Sequence, residues 1–225
     1  KRLRGLILLG GRSDYTPQEL APLNIPYVCC SYDNQYGTLP PDSYASVSIA
    51  DEEEACRAVT ELYRCGHRRI AALVSGTEDR SISQLRYQGY VRALAAHGLP
   101  LEQELVIEAG SFDIRQSYLA MQRRLLAGAQ FTALFAISDN MAIGAMRALR
   151  EAGRRIPEDC SVIAIDGLTV SDYINPTLTT LCQPMEHMGR RSVEILLDMV
   201  EHRGGPIRET AHTTLRTGES VRDIS

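Results

Sequence analysis

Two aspartates stand at the exits of apolar runs, where a sheet protein most readily meets a ligand. The run 132–137 (TALFAI) ends at Ser138-Asp139-Asn140, and the run 161–165 (SVIAI) ends at Asp166-Gly167. Carboxylates in such places accept hydrogen bonds from ligand hydroxyls, and in open α/β sheets the ligand crevice lies beyond the carboxyl ends of the strands. Ser138-Asp139-Asn140 is also helix-capping chemistry, so Asp139 is open to two uses, cap and ligand contact.

Other groups with chemical potential point elsewhere. Gly10-Gly11 follows an apolar run and could cradle phosphate, but neither the Rossmann nor the P-loop spacing surrounds it, and it reads as a sheet-edge loop. Asp51, Glu52, Glu53 and Glu54 are consecutive; they fan around a helix and cannot converge on one metal ion, so they read as a solvated helix start that complements the dipole. His67 stands beside a Gly stop signal with no carboxylate or nucleophile placed by the sequence, which favours capping or packing over a general base. No G-x-S-x-G, P-loop or Ser/His/Asp order appears. No catalytic residue, metal or cofactor is expected.

Periodicity supplies the elements that hold these groups. Apolar runs at 3–9, 26–31, 45–49, 70–75, 105–108, 132–137, 161–165 and 178–182 read as strands, the first as a buried one, with Asp33 delivered at the exit of the second. Between them, helical spacing appears at 17–23, from Asp51 to about 65, from 85 to 95, at 113–126, at 141–152 and at 184–201. Two more extended pieces, 207–212 and 214–217, end the chain. Regular alternation of strand and helix predicts a parallel, doubly wound α/β fold.

Composition sets limits. At 225 residues with 44% hydrophobic content the chain can bury a sizeable core. A net charge of −4 supplies no overall electrostatic reason to bind nucleic acid. No apolar run approaches the ~20 residues of a membrane span, and no signal peptide is visible. The six cysteines are scattered with no CxxC pair and no His at zinc spacing, which reads as buried reduced thiols in a cytoplasmic protein.

Five motifs in order, RLRGLILLG, LYRCGHRRIAALVSG, SISQLRYQGYVRALAAHGL, FAISDNMAIGAMRALREAGRRIPEDCSVIAIDG and NPTLTTLCQPMEHMG, give the chain its resemblance to the effector-binding core of the LacI/GalR (lactose-repressor-like) transcription regulators. The resemblance implies two Rossmann-like subdomains with parallel sheets joined by crossover strands, as in periplasmic sugar-binding proteins, with a small-molecule effector in the cleft between them. It divides the chain into an N-terminal subdomain (1–49 and 182–208) and a C-terminal one (50–181 and 209–225). It also implies that the chain starts at the third strand of the first subdomain, after a helix-turn-helix headpiece and hinge, so that operator DNA is contacted through a headpiece absent from this chain.

The same resemblance supplies an effector site. Arg86 matches the arginine that hydrogen-bonds the ligand, and its fork suits vicinal hydroxyls, a carboxylate or a phosphate. Asp166 matches an acceptor of sugar hydroxyls and can pair with Arg86 when the site is empty. Asp33, Ser138 and Asp139 match polar strand-exit positions, Phe112 an aromatic facing a sugar ring, Ile49 a crossover and Met185, with Met188, the first-subdomain wall. Phe112 packed under a loop, and Met185 and Met188 as core on one helical face, are the plainer alternatives. The implied partners are a sugar or sugar derivative and a second copy in a homodimer, with no membrane. A transport receptor without DNA output and an enzyme on the same fold are the competing classes.

Overall fold

Alternating apolar runs and amphipathic helices build two α/β units in a computed structural model, which describes residues 3–225. The strands are β1 (Leu6–Leu9), β2 (Tyr27–Cys30), β3 (Ala45–Ile49), β4 (Ile70–Val74), β5 (Val106–Glu108), β6 (Ala133–Ala136), β7 (Ser161–Asp166), β8 (Thr179–Cys182), β9 (Arg208–Ala211) and β10 (Thr214–Arg216). The helices are α1 (Pro17–Leu20), α2 (Asp51–Arg64), α3 (Ile82–Ala96), α4 (Ile114–Leu126), α5 (Asp139–Glu151) and α6 (Met185–Val200).

The smaller unit comprises the chain up to Ala50, Arg80–Ile82 and Gln183–Thr213. Its sheet has the order β1-β2-β3-β9, parallel throughout. Helix α6 packs on β1, β2 and β3 and turns Met188, Ser192 and Ile195 inward. A cluster of Tyr27, Cys29, Tyr32, Leu39 and Tyr44 is joined by Leu20 and Leu23. Strand β1 has one sheet neighbour among the described residues, and Leu9 is 77% exposed. The expected buried strand at 3–9 is therefore a shorter, half-exposed edge strand; Arg2 of the RLRGLILLG motif lies outside the described residues.

The larger unit comprises Asp51–Asp79, Ser83–Cys182 and Thr214–Ser225. Its sheet has the order β10-β8-β7-β6-β4-β5, with only β10 antiparallel to its neighbour. The interior strands β4 and β6 are buried along their whole length, as unbroken apolar runs require. Helix α2 buries Ala55, Ala58, Val59 and Leu62, an i, i+3, i+4, i+7 stripe; Val59 and Leu62 each contribute about 1.5–3 kcal/mol by leaving water. Two glycines let helices touch: a Cβ on Gly89 of α3 would lie 2.2 Å from the Glu52 carbonyl oxygen of α2, and one on Gly144 of α5 would lie 2.2 Å from that of Ile114 in α4.

The chain order β4, β5, β6 against the spatial order β5-β4-β6 makes a topological switch point between β4 and β6. Such a point opens a crevice at the carboxyl ends of its two strands. The expected passage of 209–225 to the larger unit is corrected: β9 lies parallel to β3 in the smaller sheet, with Glu209 opposite Val47, and the chain changes unit only at Thr214.

Candidate functional site

The carboxyl end of β4 leads into α3 through a loop tied down by Ser83. The Ser83 hydroxyl accepts from the Ser75 and Gly76 amides, both at 3.0 Å, and donates to the Gly76 carbonyl oxygen at 2.7 Å. That bracket sets the first turn of α3 and with it Arg86, whose guanidinium reaches the switch point. Arg86 Nη1 donates to the carbonyl oxygen of Ile137, at the end of β6, and to Asp166 Oδ1 at 3.2 Å. Arg86 Nε donates to Asp51 Oδ1 at 2.7 Å.

Arg86 is 1% exposed and Asp51 4% exposed, so this is a buried ion pair. Desolvation costs several kcal/mol per ion, offset only where geometry and extra hydrogen bonds are good, as the three bonds of Arg86 are. Burial acts to lower the Arg86 pKa, but Asp51 and Asp166 together hold it above the ordinary value. Burial pushes the Asp51 carboxyl up against the pull of Arg86; facing a guanidinium that never deprotonates, it remains ionised at neutral pH.

Asp51 is the residue that sequence reasoning missed. The acidic run was expected to be a solvated helix start, yet Asp51 and Glu54 are both buried. Glu52 and Glu53 alone keep to that expectation, each within reach of Arg92 Nη1. The signal was present: Asp51 follows β3 after one residue, the same strand-exit placement that singled out Asp139 and Asp166.

Asp166 closes β7 with φ of 142°, outside the regions non-glycine residues favour, and its side chain is 20% exposed. Its neighbour Asp139 is fully buried and serves as a latch. Asp139 Oδ2 accepts from the Leu168 amide and the Ser171 hydroxyl, both at 2.7 Å, and Oδ1 accepts from the Thr180 hydroxyl at 2.6 Å. These bonds tie the loop after β7 to the start of α5. Burial raises the Asp139 pKa against the three donors. The capping expected of Asp139 belongs instead to Ser138, whose hydroxyl accepts from the Met141 amide at 3.3 Å; Asp139 is already the first helical residue.

Other expected site residues fall in different places. Phe112 is half-buried in the turn between β5 and α4 of the larger unit. Asp33, Ile49 and Met185 belong to the smaller unit. Asp33 Oδ1 accepts from the Tyr44 hydroxyl and the Asn34 amide, both at 2.8 Å, and Arg208 Nη2 donates to the same hydroxyl at 2.7 Å. That ties Asp33 to the tyrosine preceding β3. Ile49 is buried in β3, Met188 is buried under α6, and Met185 is 48% exposed at the first turn of that helix. A cavity of about 550 Å³ in the smaller unit, lined among others by Leu20, Tyr27, Leu39, Met199 and Pro206, includes none of the expected site residues.

His67 is structural. Its Nε2 lies 3.2 Å from the Arg222 carbonyl oxygen and must donate there, so Nδ1, 3.0 Å from the Thr132 hydroxyl, accepts. Burial lowers its pKa and keeps it neutral. Among the described residues no three His, Cys, Asp or Glu side chains are grouped to hold a metal ion, and the six cysteines are unpaired. Three of the cysteines are only half-buried, fewer buried thiols than expected.

What this arrangement offers is a carboxylate and a fixed guanidinium at a sheet switch point. A family model of the periplasmic binding protein-like domain matches residues 59–221. The chain belongs to that family. The HTH-type transcriptional regulator CelR of Thermobifida fusca is 35% identical over 220 residues, which are 97% of this chain and 62% of that protein. The solved transcriptional regulator CelR-cellobiose complex superposes with a TM-score of 0.86 at 34% identity, covering 97% of this chain and 66% of that one. A regulator of the LacI family from Sanguibacter keddieii superposes with a TM-score of 0.84 at 28% identity, over 96% of this chain and 79% of that one. The chain thus spans about three fifths of the length of the curated relative. No helix among the described residues is long and apolar enough to cross a membrane.

Proposed function

We propose that this chain is the effector-binding domain of a LacI-type transcriptional regulator of the cytoplasm, and that the effector is a sugar or a related polyhydroxyl molecule. The observation that carries the reading is the placement of Asp166 and Arg86 together at the switch point of the larger sheet, in a chain whose relatives are regulators. Asp166 accepts from ligand hydroxyls. Arg86, held by Asp51 and the Ile137 carbonyl oxygen, holds the Asp166 carboxylate in place. In this reading Ser138 supplies a further polar contact and Phe112 an apolar wall.

Operator binding belongs to a helix-turn-helix headpiece, and the functional form is a homodimer. Effector binding changes operator affinity by favouring one of two states of the regulator, a coupling of typically ~1–3 kcal/mol. A second reading, a sugar receptor without DNA output, shares the fold but lacks the regulators' names among its support.

The test is equilibrium binding of a sugar panel to the native chain and to Asp166→Asn, which removes the charge and retains the shape. Loss of a hydrogen bond to a charged group costs about 1.5–3 kcal/mol, so affinity drops roughly 10- to 100-fold. Equal affinity in the variant would move the site away from Asp166.

A further inference from the structure

A second place in the molecule is shaped for a ligand and is independent of the site at Asp166. The cavity of about 550 Å³ in the smaller unit lies at the amino edge of its sheet, where Pro26 leads into β2 and Pro206 precedes β9. Its volume falls within the roughly 300–1,000 Å³ of small-molecule sites. The wall is stiff. Pro17, Pro26, Pro40 and Pro206 reach it from four separate segments, each with its φ locked by the ring and no N–H to offer. Several wall carbonyl oxygens are already engaged: that of Pro26 accepts from the Leu6 amide at 3.0 Å, that of Pro40 from the Ser43 amide at 3.0 Å and the Ser43 hydroxyl at 2.7 Å, and that of Ala21 from the Asn24 amide at 3.2 Å. Leu20, Leu39 and Met199 add aliphatic surface. Tyr27, 6% exposed, is fixed by stacking on Tyr44, with ring centroids 6.3 Å apart and planes 8° from parallel.

Two polar side chains on this wall remain open. Asn24 and His202 are exposed and make no side-chain hydrogen bond or ion pair among the described residues. No Asp, Glu, Lys or Arg lines the cavity, so it offers no counter-ion to a charged ligand. This inventory selects the occupant. A sugar carries a hydroxyl on nearly every carbon, and burying those without partners is costly. A peptide strand brings a donor and an acceptor with each residue, and both would meet proline carbons. We infer that the cavity is a second ligand site, for a small uncharged aromatic molecule with one or two polar groups at one end. The ring packs against the prolines and Tyr27, and the polar end faces Asn24 and His202. Such a ligand also bears on Asp33, because the Tyr44 hydroxyl donates to Asp33 Oδ1 at 2.8 Å and the Asn34 amide donates to the same oxygen at 2.8 Å. A movement of Tyr27 therefore reaches the carboxyl exit of β2 through Tyr44.

The test follows the Met199 methyl and the Asn34 amide by NMR while the chain is titrated with indole or p-cresol, and with glucose as the control. The expected result is a saturating Met199 shift with a midpoint below about 1 mM for both aromatics, and no Met199 shift with glucose. The Asn34 amide should move in step with Met199, and its response should disappear in Tyr44→Phe. Ala21→Phe fills the cavity from an exposed position and should weaken indole at least about tenfold with an unchanged melting temperature. Asn24→Gly keeps the left-handed turn, at φ of 45°, and should weaken p-cresol by roughly three- to tenfold while leaving toluene unaffected. A Met199 shift that stays linear with indole, or equal indole affinity in folded Ala21→Phe, overturns the inference. A Met199 signal that moves on dilution without any ligand assigns the cavity to a second copy of the chain and overturns it too. An Asn34 amide that stays still while Met199 saturates overturns the relay through Tyr44.

Discussion

Arg86→Ala tests whether the guanidinium serves the fold or only the ligand. The substitution removes the bonds to Asp51, Ile137 and Asp166 and leaves Asp51, 4% exposed, without its counter-ion. Removing one partner of a buried pair costs about 3–5 kcal/mol, a large part of the ~5–15 kcal/mol that holds a domain together. With a urea m-value of roughly 2–3 kcal/mol/M for a domain of this size, the midpoint for the larger unit should fall by about 1–2 M. Circular dichroism during urea unfolding, without ligand, reads this directly. The double variant Arg86→Met with Asp51→Asn leaves neither charge buried alone and should recover much of the loss, giving a coupling energy well above the few tenths seen for independent sites. A midpoint within about 0.3 M of the parent, with only the sugar response lost, would refute the buried-pair account and return Arg86 to the exposed ligand donor that the resemblance alone suggests.

Asp139→Asn keeps the side-chain shape but can turn an amide toward the Leu168, Ser171 and Thr180 donors; a loss of about 1–3 kcal/mol is expected. Faster hydrogen exchange of the Leu168 amide would accompany it, and unchanged protection there would count against the latch. His67 is buried, and burial lowers its pKa below the ordinary value of 6.5. The unfolded chain therefore binds a proton at higher pH than the folded one. The contribution of neutral His67 is fully present above pH 6.5 and is lost as pH falls through the window between 6.5 and the lower folded value. A melting-temperature profile should show that slope in the parent and lose it in His67→Gln; the same slope in both would assign the dependence to another group.

The local grammar of the fold was legible in the sequence. Strand cores such as 70–74 and 133–136 are unbroken apolar runs, helix ends carry their own caps, and a strand, helix and strand at 132–165 place Asp139 and Asp166 on one edge because parallel neighbours must exit together. These features depend on residues within a few positions of one another. The bonding within the site does not. Asp51 and Arg86 are 35 positions apart, Arg86 and Asp166 are 80 apart, and Asp139 and Thr180 are 41 apart.

Periodicity cannot show whether an acid at the head of a helix faces water or a buried guanidinium, since both are compatible with the same first turn and the same dipole. Nor could it show that β9 joins β3, because a short polar strand, RETA, pairs according to the neighbour the topology provides. Residue types at strand exits therefore told where a ligand could be met. Only the packed sheets decided which charges are paired inside the protein, because the cost of an unpaired buried charge is set by the groups brought within hydrogen-bond reach and not by their order along the chain.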